Sequence, residues 1–187
     1  MCPAAEAPPP GVDALDAAGC LDAFLEVQAQ RAEAYRRFDA VFQAYLATAA
    51  EGPYSAGMAA STTEFQALSQ RVLALEAALR GRLAQGGAAD ALRAVQAGER
   101  EKLQATLALH ALKSAVAHRR FSWQHEGHEG HEGCACGWAP AGEPSEGDLA
   151  GATRDAVRQL QACVTAINDA IDEVRQLRED LLPESGA

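Results

Sequence analysis

The chain has 187 residues, 48% of them hydrophobic but only 5% aromatic, and a formal charge of -10. That length fits one domain, and its alanine-rich apolar fraction favours long helices held by a narrow stripe of larger side chains, since alanine is the best helix former yet buries little surface. The acidity works against broad binding to DNA, RNA or anionic membrane, which rests on cationic patches, and makes protein partners the default. No run of about 18 apolar residues occurs, so no membrane span is expected. The start, MCPAAEAPPPG, has no basic segment ahead of an apolar one, so no secretory signal is expected. The five cysteines are an odd number, spread out except for Cys134 and Cys136. They read as reduced thiols of a soluble intracellular protein.

In chain order, residues 1–12 read as a disordered leader rich in proline and alanine. A helical domain is expected over 13–182 and a flexible tail over 183–187. Leu21, Phe24, Gln28, Arg31, Tyr35, Phe38, Phe42 and Tyr45 step by three and four, the mark of one long amphipathic helix that ends before Gly52-Pro53. Ser61-Thr62-Thr63-Glu64 has the form of a capping box, which predicts a second helix starting there, with Phe65, Leu68, Val72, Leu75 and Leu79 on one face. After a break at Gly86-Gly87, a third helix is predicted from about Asp90 through Leu92, Val95, Leu103, Leu107, Leu109, Leu112 and Val116. Gly98 inside it marks a bend or a close neighbour. Residues 124–147 lose all apolar period and read as a loop. The last helix, starting after Ser145 or Asp148, has its seam at Val157, Leu160, Val164, Ile167, Ile171, Val174, Leu177 and Leu181.

No strand-like alternation occurs. The predicted fold is therefore all-α, an antiparallel bundle of about four long helices with coiled-coil-like packing. The long third connection leaves its two helices free to be neighbours or diagonal. Packing within one chain is preferred over a homodimer, because the chain has enough apolar faces to satisfy itself.

Within the loop, HEGHEGHEGCACGW offers His125, His128, His131, Cys134 and Cys136 as candidate zinc ligands. Its spacing is neither that of a helical metalloprotease motif, which needs histidines four apart, nor the C-x2-C spacing, with two residues between the thiols, usual in structural zinc sites. Glycine at every third position also denies it a rigid helix. It reads more readily as a low-complexity insertion than as a metal site, and no cofactor is expected. His110 lies on a mostly apolar face and reads as a core residue. Cys20 and Cys163 sit within helices and read the same way. No nucleophile-base pair, phosphate-binding loop or dinucleotide turn is visible, so no catalytic residue is assigned and enzyme activity is not expected. Arg31, Arg36 and Arg37 form one basic cluster, and Lys113, His118, Arg119 and Arg120, beside Phe121 and Trp123, form another. The second suits a helix C-terminus, with nucleic-acid contact as the alternative.

One stretch carries more than periodicity. QAQRAEAYRRFDAVFQAYL, Gln28 to Leu46, followed by TEFQALSQRVLALEAAL, Thr63 to Leu79, resembles the B-type "required for excision" (Rex B) DNA-repair family. A weaker likeness continues through EREKLQATLALHALK and VRQLQACVTAINDAIDEVRQL. The resemblance implies a non-enzymatic protein needed for excision repair of ultraviolet-induced DNA damage, with a nuclear location expected and a cytoplasmic one open. The matching positions Arg31, Tyr35, Arg36, Arg37, Tyr45 and Glu76 are the interaction candidates, and a buried pairing of Arg36 or Arg37 with Glu76 is the structural alternative. Three functions stay open: an adaptor docking onto a repair assembly through protein contacts, a direct DNA-binding factor, and a helical scaffold unrelated to repair.

Overall fold

A computed structural model describes residues 11–119, 121 and 142–182. A short 3-10 turn at Val12–Ala14 precedes four long helices, α1 (Ala17–Thr48), α2 (Glu51–Arg80), α3 (Gly86–His118) and α4 (Glu146–Leu181). Only Ala49 and Ala50 join α1 to α2, and residues 81–85 join α2 to α3, so neighbours must run antiparallel. Around the bundle each helix packs beside the next, with α3 against α4 the most extensive pairing and α4 closing back on α1. The two helices flanking the long connection are therefore neighbours. The all-α antiparallel bundle expected from the sequence is the fold observed.

The termini have local causes. Asp16 caps α1, its carboxylate accepting from the Gly19 amide at 2.7 Å. The chain leaves α1 through Ala49, which takes a left-handed conformation at φ 53°. Ser145 and Asp148 form a reciprocal capping box that starts α4 at Glu146. The predicted loop at 124–147 thus ends two residues early. Arg82 donates to the carbonyls of Val12 and Leu15, at 3.2 and 2.7 Å, and fastens the leading turn to the α2–α3 connection. Arg178 pairs with Asp22, fastening α4 to α1.

Two predicted helix starts fall too late. Helix α2 begins at Glu51, ten residues before the Ser61–Glu64 motif. Pro53 is its third residue, where the backbone amide has no intrahelical acceptor to lose, so proline is tolerated there. Ser61 is buried mid-helix, and the Thr62 and Thr63 hydroxyls donate back to the carbonyls of Met58 and Ala59. Helix α3 likewise starts at Gly86, with Gly86-Gly87 in its first turn and Ala88 and Ala89 buried. Asp90 pairs with Arg80 instead of capping.

The seam of α4 holds at Ile167, Ile171, Val174, Leu177 and Leu181 and departs from expectation only nearer its start. Ala156 and Cys163 are buried, whereas Val157 and Val164 are exposed, so small side chains face α3 and let the helices approach closely. Gly98 answers the same need, since a Cβ there would lie 2.8 Å from Ile167 Cγ1. The densest core joins Cys20, Leu21, Phe24 and Val27 of α1 to Val72, Leu75 and Leu79 of α2, Leu92 and Val95 of α3, and Ile167 and Val174 of α4. Cys20 and Cys163 are both free and buried. Among the described residues no helix is long and apolar enough to cross a membrane.

Candidate functional site: a groove floored by the first helix

Above that core the stripe of α1 changes character. Arg31 stands where the helical period requires a buried side chain, and it is only 3% exposed. Its Nη2 donates to Ser69 Oγ of α2 at 3.1 Å and to Gln96 Oε1 of α3, both uncharged. Its Nη1 is buried with no hydrogen-bond partner among the described residues. Burial lowers the affinity of this guanidinium for its proton, and Glu99 partly opposes that. One turn on, the Tyr35 hydroxyl reaches the Glu99 carbonyl at 3.5 Å, and Lys102 Nζ lies 3.7 Å from the centre of the Tyr35 ring. Burial, then the nearby Glu99 carboxylate, pushes the Tyr35 phenol well above its ordinary range and keeps it protonated. Lys102 is pushed down by burial, while Glu99, 3.4 Å away, opposes the shift.

Further along α1 the layers become aromatic. The Phe38 ring meets Phe65 edge-on at 6.0 Å, and Phe42 stacks on His110 with centroids 3.7 Å apart and planes 8° from parallel. Tyr45 stacks on Tyr54 at 4.2 Å, and His118 approaches it edge-on at 4.9 Å. His110 is buried, its Nδ1 has no hydrogen-bond partner among the described residues, and burial lowers its pKa from 6.5.

Over this half α2 and α3 stand apart, and the space between them is a groove whose floor is α1. One end, about 500 Å³, is lined by Arg31, Tyr35, Glu76, Arg93 and Arg100. The middle, about 350 Å³, lies over Phe38 between Met58 and Leu107. The far end, about 400 Å³, contains Tyr45, Tyr54, His110 and His118. Phe65, Ser69 and Leu103 belong to both the first and the middle sections, and Leu107 to both the middle and the last, so the three are continuous. From Glu76 to Tyr54 along α2 this is roughly 30 Å at 1.5 Å per residue. Leu103 and Leu107, assigned to a core face by their spacing, are instead half-buried and exposed along this opening.

The family model for DNA repair REX1-B matches residues 19–113, slightly more than half of the chain. The chain belongs to this family. Membership gives it a role in DNA repair. No curated protein and no solved structure matches the chain. The segment shared with the REX1-B family runs from the start of α1 to Lys113 of α3, and so takes in all three helices around the groove.

The six predicted interaction residues divide by position. Arg31, Tyr35 and Glu76 meet at one end of the groove, and Tyr45 lies at the other. Arg36 and Arg37 are exposed outside it, Arg36 pairing with Glu33 and Arg37 crossing to Glu64 of α2. Neither pairs with Glu76, which is buried and binds Arg93 and Arg80 instead. Sequence reasoning missed Ser69, Gln96, Glu99 and Lys102. A signal was present, because Val95, Glu99 and Lys102 continue the three-four stepping of α3. Of the second basic cluster, Lys113 and Arg119 are exposed on α3 and at its end, His118 faces the groove, and Phe121 is buried. Arg120 and Trp123 lie outside the described residues, as do the leader at 1–10, the tail at 183–187 and the candidate ligands His125, His128, His131, Cys134 and Cys136. Among the described residues no three His, Cys, Asp or Glu side chains gather as they would around a metal ion.

Proposed function

We propose that the chain is a non-enzymatic adaptor of excision repair, acting on ultraviolet damage in the nucleus by holding protein partners of a repair assembly. The observation that carries this reading is the groove itself, an open, largely apolar channel bounded by the three helices of the REX1-B segment. Such a channel suits the burial of a partner's side chains. Arg31, Tyr35, Tyr45 and Glu76 act from within it, and Arg36 and Arg37 from its flank.

The direct DNA-binding reading has less support. Arg36 and Arg37 already face carboxylates, and the chain as a whole is acidic. Two measurements test the proposal. Cells lacking the gene are expected to lose survival after ultraviolet irradiation and regain it with the wild-type chain; unchanged survival on deletion leaves only an unrelated scaffold. Fluorescence anisotropy with damaged and undamaged duplex at physiological salt is expected to show no damage-selective binding, and tight selective binding would replace the adaptor with a DNA-binding factor.

A further inference from the structure

The charges along the groove are not balanced. Its two buried carboxylates each have their own cations, Glu76 with Arg93 and Arg80, and Glu99 with Lys102. Its remaining cations form no ion pair among the described residues. Among these residues Arg31 is held only by neutral groups and keeps a buried Nη1 without a partner. Arg100, exposed on the rim beside it, makes no ion pair among the described residues. Arg119 stands at the opposite end. In a chain of net charge -10, this channel therefore has an excess of positive charge.

Its apolar character is arranged to match. Leu73 on the α2 wall is 47% exposed and Leu107 on the α3 wall 41%, and they face a channel that also contains Phe65, Met58 and Leu103. Two leucine-bearing walls over a floor roughly 30 Å long match the length of a helix of some twenty residues. A phosphate backbone gains nothing from those leucines, whereas the apolar stripe of an amphipathic helix does.

We infer that the groove between α2 and α3 is the docking site for an acidic amphipathic helix of a protein partner, its apolar stripe seated on Leu73, Phe65 and Leu107 and its carboxylates received at Arg100 and Arg31. The inference rests on the adaptor reading and names the chemistry of its partner. A partner's carboxylate seated beside Arg100 also feels the charge of the buried Arg31 guanidinium, which Ser69 and Gln96 hold without neutralising it.

The test is selection from a phage-displayed library of random helical peptides of about twenty residues, on the immobilised full-length chain. Leu107→Glu and Arg100→Glu, both at exposed positions, serve as counter-targets after circular dichroism confirms their helix content. Enriched peptides are expected to be net acidic with an apolar residue every three to four positions. Their retention is expected to drop about tenfold on either variant, as for a lost anchor or rim charge at an interface. Failure to enrich, enrichment of basic or unpatterned peptides, equal retention on both variants, or tighter binding of a twenty-base single-stranded oligonucleotide each overturns the inference. Ultraviolet survival separates this failure from that of the adaptor reading. If deletion sensitises cells but Leu107→Glu and Arg100→Glu restore survival fully, the groove is wrong and the adaptor stands; if deletion has no effect, the adaptor itself falls.

Discussion

The two halves of the bundle are built from the same four helices and solve different problems. From Cys20 to Val27 the α1 face is dry, enclosed on every side by Leu75, Leu79, Leu92, Val95 and Val174, none more than 2% exposed. From Arg31 to Tyr45 the same face passes from an arginine to a run of aromatic side chains, meeting Ser69, Glu99, Lys102 and His110 where α2 and α3 part. Aliphatic side chains gain most from complete enclosure, while tyrosine and arginine tolerate one wet edge because they are polar at the tip. The change of residue type along one helix thus marks where the bundle stops being only a core and begins to present a surface.

The largest expected effect tests that division directly. Phe24→Ala in the dry half should cost about 3–5 kcal/mol, because the cavity it leaves is walled by side chains that cannot collapse into it. Tyr35→Ala, partly open to the groove, should cost no more than about half of that, since water can enter the space. Urea unfolding of both variants at neutral pH compares them. Equal losses would mean that the upper half is as much core as the lower, and the groove would no longer be a surface left open.

A smaller effect concerns how α1 and α2 stay close while α2 and α3 separate. Gly57 lies against Val41, and a Cβ there would meet Val41 Cγ1 at 2.5 Å. Gly57→Ala should gain about 1 kcal/mol of helix propensity and lose about 1–3 to overpacking, a net destabilisation. Val41→Ala should recover most of it, read as a positive coupling in a double-mutant cycle. An additive cycle would show that the glycine is incidental to the packing.

Much of this was legible before the coordinates. Three-four stepping identified all four helices and put Arg31, Tyr35 and Tyr45 on the inward face of α1. What escaped has physical reasons. Gly52-Pro53 looks like a stop, yet proline in a first turn forfeits no hydrogen bond, so α2 runs ten residues longer at its start. That extension supplies Tyr54, Gly57 and Met58, without which the groove lacks a wall. Ile167 and Val174 of α4 are buried as their spacing predicts, but Val157 and Val164 only resemble a seam, as β-branched residues do wherever they recur. Close helix contact instead selected Ala156 and Cys163, the smaller side chains beside them. Burial of Glu76 and Glu99 could not be read from their type, since charged residues are almost never fully buried unless paired, and their partners lie on other turns and helices.

His110 gives the upper half a pH signature of its own. Burial lowers its pKa below 6.5; Asp39 opposes the shift and Lys113 adds to it. The unfolded chain therefore binds the proton more readily, so the neutral ring contributes its full stability above 6.5 and loses it as the pH falls through and below that value. Unfolding free energy measured between pH 7.5 and 5 should decline, and His110→Phe, which keeps a ring against Phe42, should flatten the slope. An unchanged slope would assign the decline to carboxylates elsewhere.

The smallest expected change in stability is at the most unusual residue. Arg31→Met keeps the length of the stem, removes a desolvated charge and frees Ser69 and Gln96. Ser69 can turn its hydroxyl to the carbonyl one turn back, and Gln96 already reaches the Ser69 carbonyl at 3.5 Å, so neither is stranded. Replacing a buried charge by an apolar side chain of similar length is often neutral, and here it should shift stability by no more than about 1 kcal/mol in either direction. Peptides selected on the wild-type chain should nevertheless lose their preference for acidic residues at that end of the groove. If the same substitution instead costs 3 kcal/mol or more, about what breaking a buried ion pair does, the guanidinium is a structural tie between three helices. Its unpartnered nitrogen would then be a consequence of that role, and Arg100 alone would have to receive a partner's carboxylate.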